Sequence, residues 1–210
     1  MAYRRTPAVQ ARLDAQREAV LRAAVALLGE RGYARCSMAA VAHRAGIATG
    51  SIYQHFANKA ELSAELFRTV VGREVAAVTE AAARMSTPHA KITAVIETFA
   101  ARALKAPRLA YALLAEPAEA IVETERLVFR RAFRDLFAEQ ISDGIANGQL
   151  PDQPPELTAA ALVGAVGEAL VGPLDTGSPS DDLIPALVSF AMRALGGPTQ
   201  GEGGRDAADA

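Results

Sequence analysis

Thr49, Gly50, Ser51 and Gln54 crowd into one short stretch of this chain, with Tyr53, His55 and Lys59 among and just after them. Hydroxyls and a side-chain amide both donate and accept hydrogen bonds, and glutamine can pair bidentately with adenine, so this group suits the base edges of a major groove. A phenol, an imidazole and an ammonium group are donors that suit a phosphate backbone. Taken singly, each has an ordinary alternative: Tyr53 half in a core, His55 in a solvated loop, Lys59 as surface charge. Their convergence is what points to a nucleic acid.

The elements that must position them are written in the same stretch. Ser37 is placed to cap a short helix on which Met38, Val41, Ala42 and Ala45 share one apolar face. Gly46 follows where helices commonly close in the left-handed region, and Ile47 can fold back over the last turn. Thr49, as a second cap, would open a helix running through Phe56, with Ile52 and Phe56 facing inward. Asn58 would cap the next helix, its free amides turned toward the same side as the donors. Two short helices about a glycine turn make a helix-turn-helix, and DNA binding is the leading reading.

The stretch from Arg12 to Tyr33, ending in LLGERGY, followed by SMAAVAHRAGIATGSIYQHFANKAEL from Ser37 to Leu62, resembles the DNA-binding domain of the tetracycline-repressor (TetR) family. The most telling part is Gly50 through Phe56, followed by Asn58, Lys59 and Glu61. The resemblance implies that Tyr53, His55 and Lys59 hold phosphates, and that Thr49, Gly50, Ser51 and Gln54 lie in the major groove, with Ser37 completing the DNA-binding set. It covers the first third of the chain. Beyond about Leu66 only helical character and length are similar, so there it implies function in outline alone.

Composition agrees with an all-α protein: 210 residues, half of them hydrophobic, no tryptophan and little strand-like alternation. A net charge of −2 argues against a general nucleic-acid binder, yet the charge is unevenly placed. Through Lys59 there are nine Arg or Lys against three Asp or Glu, and beyond it 13 against 21. A basic head on an acidic body would turn the head toward DNA. Arg4 and Arg5 would add phosphate or minor-groove contacts from a flexible basic tail over residues 1–11. A three-helix DNA-binding domain over 12–58, a helical ligand-binding and dimerisation domain over 59–197 and a disordered tail over 198–210 complete the expected organisation.

Caps and breakers place the body helices at about Asn58–Met85, Pro88–Lys105, Pro107–Ala115, Ala118–Asn147, Glu156–Leu170 and Asp182–Leu195. The middle helices carry more aromatic and long apolar side chains than packing demands, which allows a cavity. Its expected walls are Phe67, Met85, Phe99, Phe129 and Phe133, with Arg102, Tyr111 and Arg130 as polar groups. The last two helices suit a four-helix dimer interface: Ala161, Gly164, Ala165 and Glu168 permit close approach, and Leu187, Val188, Ala191 and Leu195 form an apolar stripe.

Cys36 stands alone, so no intrachain disulfide forms, and His43, His55 and His89 lack metal-ligand spacing; no metal or other cofactor is expected. The start has no apolar signal core, and the run from Leu157 to Leu174 is interrupted by Thr158, Gly164, Gly167, Glu168, Gly172 and Pro173, so a cytoplasmic protein away from membranes is expected. Glu116, Glu123 and Glu125 carry no reaction-specific spacing, and an enzyme is not expected. The overall expectation is a homodimeric repressor that binds the double-stranded DNA of a palindromic operator and is released by a small hydrophobic or amphipathic effector. An activator of the same fold, or a helical enzyme or adaptor without DNA binding, are the alternatives.

Overall fold

The computed structural model describes residues 6–196, and among these every regular element is helical. The helices are α1 (Pro7–Arg31), α2 (Met38–Arg44), α3 (Thr49–Ile52), α4 (Lys59–Ala83), α5 (Pro88–Lys105), α6 (Pro107–Leu114), α7 (Ala120–Ala146), α8 (Pro155–Thr176) and α9 (Leu183–Ala194). Arg4, Arg5 and the 198–210 tail lie outside the described residues.

Local chemistry explains most boundaries. Thr6 accepts a hydrogen bond from the Val9 amide and Pro7 takes the first helical position, so α1 begins before Arg12, and residues 7–11 are helix, not flexible tail. Thr87 and Pro88 open α5 in the same way. At the start of α4 the Asn58 side chain accepts from the Glu61 amide, and the Glu61 carboxylate accepts from the Ala57 amide, a reciprocal closure of free donors. The end of α8 also departs from expectation: the helix runs on past Leu170, through Gly172 and Pro173, and closes at Gly177 in the left-handed conformation. Leu170 and Leu174, both buried, hold that last stretch against the body.

Two cores share the long α4. The first joins α1, α2 and α3 to Leu62, Leu66, Phe67, Val70 and Val71 of α4, and it also takes in Ala112 and Leu113 of α6 and Val122 of α7. The head therefore does not end at residue 58, because half of α4 and the α6–α7 junction complete its core. The second core gathers Val78 and Ala82 of α4 with α5, α7, α8 and α9; Ile92, Val95, Ile96, Ala100 and Ala103 follow the helical period along α5.

By length and composition α8 is apolar enough to cross a membrane, despite the interruptions that were expected to disqualify it. Its stripe of Ala159, Leu162, Val166, Leu170 and Leu174 is buried against neighbouring helices of the body, chiefly α7 and α6, while Leu157, Ala160, Ala161, Gly164 and Ala169 on its other sides are exposed.

Candidate functional site

The Ser37 hydroxyl accepts from the Ala40 amide at 3.2 Å and so caps α2. The turn closes as Gly46, at φ +70°, donates to the His43 carbonyl and Ile47 donates back to Ala42 at 3.0 Å. The next helix is shorter than the spacing suggests. Ala48 occupies its capping position without a side-chain bond, Thr49 is its first helical residue, and α3 ends at Ile52. Tyr53, Gln54 and His55 continue as tightened turns, in which the Gln54 and His55 amides reach Ser51 and Ile52, three residues back. Four residues cannot sustain a helix by themselves. The orientation of α3 comes from Ile52 and Phe56, both almost fully buried in the head core and each worth roughly 2 to 3 kcal/mol of burial.

That anchoring leaves Thr49, Gly50, Tyr53 and Gln54 exposed on one short projection, with Ser51 half-buried. A Cβ placed on Gly50 would meet nothing within 4 Å, so the fold itself leaves open space there. The other two donors are already partnered. The His55 Nε2 lies 3.1 Å from the Gln16 side-chain oxygen, and the Lys59 ammonium lies 2.8 Å from Glu119. Arg44 is committed to a two-pronged pair with Glu30 at 2.7 Å, which holds the Glu30 carboxyl below its ordinary pKa. Arg17 stacks over Phe56 at 4.9 Å while binding Glu65 at 3.2 Å, stapling α1 to α4. Cys36 is buried in the head core, and burial pushes its thiol up to about 11.

The head meets the body at the α6–α7 connection. Glu116 accepts the Tyr33 amide at 2.9 Å, beside Gly32 at φ +71°, where a Cβ would run into the Glu116 carboxylate. Arg126, only 8% exposed, reaches back from α7 to the carbonyls of Ala112 and Leu113 at 2.8 Å and of Glu116 at 2.5 Å. These are the free carbonyls at the C-terminal end of α6 and just beyond it, and a cation there is favoured by the helix dipole.

Beside Arg126 a cavity of about 700 Å³ opens between α5, α7 and α8. Its apolar lining includes Phe99, Phe129, Phe133, Phe137 and Val163, with Phe99–Phe133 and Phe129–Phe133 in edge-on contact at 5.2 and 4.7 Å. Four arginines, Arg126, Arg130, Arg131 and Arg134, also line it. Of the expected wall residues, Phe99, Phe129, Arg130 and Phe133 are in place. The others are not. Phe67 packs in the head core, Met85 is exposed beyond the end of α4, and Tyr111 packs against the body core without facing this cavity. Arg102 is tied to Glu74 at 2.5 Å beside a second cavity of about 60 Å³. The recurrence of Arg126, Arg130 and Arg134 at every fourth position was the overlooked signal, since it puts three cations on one face of α7.

The proposed interface residues divide. Ala161, Gly164 and Glu168 are exposed on α8 and Ala165 and Val188 are half-buried, but Leu187, Ala191 and Leu195 are buried in the body's own core. The outer side of α9 is instead Ala186, Ser189 and Phe190. Gly164 and Glu168 also belong to the cavity wall. Among the described residues no three His, Cys, Asp or Glu side chains gather as a metal site would require.

Residues 20–66 match the family model described as bacterial regulatory proteins, tetR family. The chain is 28% identical over 156 residues to the uncharacterized HTH-type transcriptional regulator YhgD of Bacillus subtilis (strain 168), spanning 70% of this chain and 78% of that protein. It is 31% identical over 77 residues to the fatty acid metabolism regulator protein of the same strain, spanning 37% of this chain and 40% of that one. In three dimensions it resembles the transcriptional regulator FadR from Bacillus subtilis, solved in complex with stearoyl-CoA, with a TM-score of 0.75 at 20% identity over 87% of this chain and 99% of that one.

Proposed function

Through its head this chain belongs to the tetR family of bacterial regulatory proteins, which are DNA-binding transcriptional regulators and not enzymes, and from that premise we propose a homodimeric cytoplasmic repressor released from a palindromic operator by an anionic amphipath. The observation that carries the DNA-binding part is the projection of Thr49, Gly50, Tyr53 and Gln54, exposed together while Ile52 and Phe56 are locked beneath them. One such projection reads only a few base pairs. Two of them related by a two-fold axis would enter successive major grooves, roughly 34 to 36 Å apart or a little more. The exposed face of α8 with Leu157 and Ala161, together with the exposed Phe190 of α9, offers an apolar surface for that pairing.

The effector class follows from the cavity. A phenylalanine-lined space of about 700 Å³ suits an alkyl or acyl chain, and the arginines on α7 suit a charged head group. An acyl-CoA has both features, and the similarity to regulators of fatty acid metabolism supports that choice. Its binding would favour one head spacing over the other and so weaken the operator complex.

Selection of duplexes from a random pool, with and without palmitoyl-CoA, tests this directly. A palindromic site should emerge and its complex should weaken as palmitoyl-CoA is added. Recovery of no preferred sequence would defeat the DNA-reading assignment, and a site whose binding ignores every acyl-CoA would defeat the effector class.

A further inference from the structure

Glu119 stands at the capping position of α7, and its Oε1 holds the ammonium of Lys59, the first residue of α4, at 2.8 Å. Both side chains are partly withdrawn from water, at 36% exposure for Lys59 and 26% for Glu119, so the pair is less screened than a surface one. Burial is the largest influence on the Glu119 carboxyl and works to raise its pKa, yet the hydrogen bond and charge of Lys59, together with its own backbone amide and the Ser63 hydroxyl, hold it below its ordinary value. The second carboxylate oxygen is buried without a hydrogen-bond partner. The group is therefore partly withdrawn from water, and the ion pair its carboxylate makes there is with Lys59.

A carboxylate oxygen and a phosphate oxygen make the same demand on an ammonium group, as anionic acceptors at hydrogen-bond distance. Lys59 is the residue assigned to the DNA backbone, and the full bond it makes in the free protein is internal. We propose that Glu119 is a built-in substitute for the DNA phosphate: it occupies Lys59 in the free protein, must be displaced when the head lands on a duplex, and thereby sets DNA affinity. This rests on the reading of Lys59 as a phosphate contact. The competitor sits on a segment whose position the body controls. Three residues earlier the same connection binds the Tyr33 amide of the head through Glu116, and its backbone is held by Arg126, a wall of the effector cavity. A shift of that segment would alter how firmly Lys59 is held.

The test needs no knowledge of the operator, because phosphate contacts carry no base information and a random-sequence duplex reports them. Affinity is measured by fluorescence anisotropy for the full chain and for Glu119→Gln, Glu119→Ala, Lys59→Ala and the Lys59→Ala/Glu119→Gln double variant. Both Glu119 variants should bind about five-fold more tightly per head, the size of a partly screened ion pair. Lys59→Ala should bind more weakly, and Glu119→Gln should change nothing in the Lys59→Ala background. Unchanged or weaker binding by both Glu119 variants, with Lys59→Ala still weaker than the parent, overturns the competition while leaving the phosphate role of Lys59 intact. Undiminished binding by Lys59→Ala overturns both. Equal tightening by Glu119→Gln with and without Lys59 would show that the carboxylate merely repels DNA, and overturns the substitution as well.

Discussion

On the proposed reading, Tyr53, Gln54 and Lys59 divide two tasks, base reading and phosphate holding, across one surface. Tyr53 is 53% exposed and Gln54 stands beside it on the tightened turn, whereas Lys59 is tethered below them to Glu119. Lys59→Ala should weaken binding to every duplex alike and flatten the slope of log affinity against log salt by about 0.9 per head. Gln54→Ala and Thr49→Ala should instead change which base is preferred at one position of each half-site, by about 1 to 3 kcal/mol. A panel of singly substituted operators separates these outcomes, and a uniform loss across the panel for Gln54→Ala would move that residue to the backbone. Cys36 makes a different kind of prediction. With its thiol pushed up to about 11 from 9, it carries little thiolate near neutrality, so iodoacetamide at pH 8 should modify the folded protein about a hundred-fold more slowly than the unfolded chain. The same shift favours the folded state while the thiol stays protonated. That contribution is complete below pH 9 and is lost as pH rises through 11. Cys36→Ala should therefore lose less stability than the parent across that interval, as followed by urea unfolding.

At the scale of elements, α7 joins the cavity to the end of α6. It supplies Phe129, Phe133 and Phe137 to the cavity, the arginine row to its wall, and through Arg126 the cap on α6. Arg130 is exposed and makes no bond to a neighbouring side chain among those described, so Arg130→Ala should leave the melting temperature nearly unchanged. It should weaken palmitoyl-CoA about ten-fold while barely affecting the uncharged hexadecanol, by isothermal titration calorimetry. Equal losses for both ligands would place the charged head group elsewhere. Val163, half-buried on α8, faces the same space. Val163→Trp should narrow it and reduce the rise in melting temperature expected with palmitoyl-CoA, while DNA affinity in its absence stays within about two-fold.

For the whole molecule, the decisive surface is the one the monomer leaves uncovered. Ala161 is exposed on α8 beside other small residues, so Ala161→Arg costs the isolated chain little, whereas in a two-fold interface it would bury an unpaired charge and cost about 3 kcal/mol or more. Light scattering at micromolar concentration should show a dimer for the parent and a monomer for Ala161→Arg, with far-ultraviolet circular dichroism unchanged. A monomeric parent would defeat the two-fold reading of the operator. Only a dimer couples the cavity to head spacing, because a single head on a single body has no spacing to change.

What the amino-acid sequence determined by itself was whatever depends on neighbours within a turn of helix. Ser37 and Asn58 cap because the amides they serve lie three residues on, and Gly46 closes α2 because glycine enters the left-handed region at little cost. Pro88 and Pro107 mark the first turns of α5 and α6 for equally local reasons. The apolar pattern of the head likewise located Ile52 and Phe56 in its core. Everything else turned on which faces meet across long stretches of chain. Lys59 finds Glu119, and Tyr33 finds Glu116, only because the end of α6 and the start of α7 pack into the head's core. Leu187, Ala191 and Leu195 looked like an outward stripe because an amphipathic helix has the same pattern whether a partner or its own domain covers it. The cavity is a difference between the volume the helices enclose and the volume their side chains fill, and packing in three dimensions alone decides that difference.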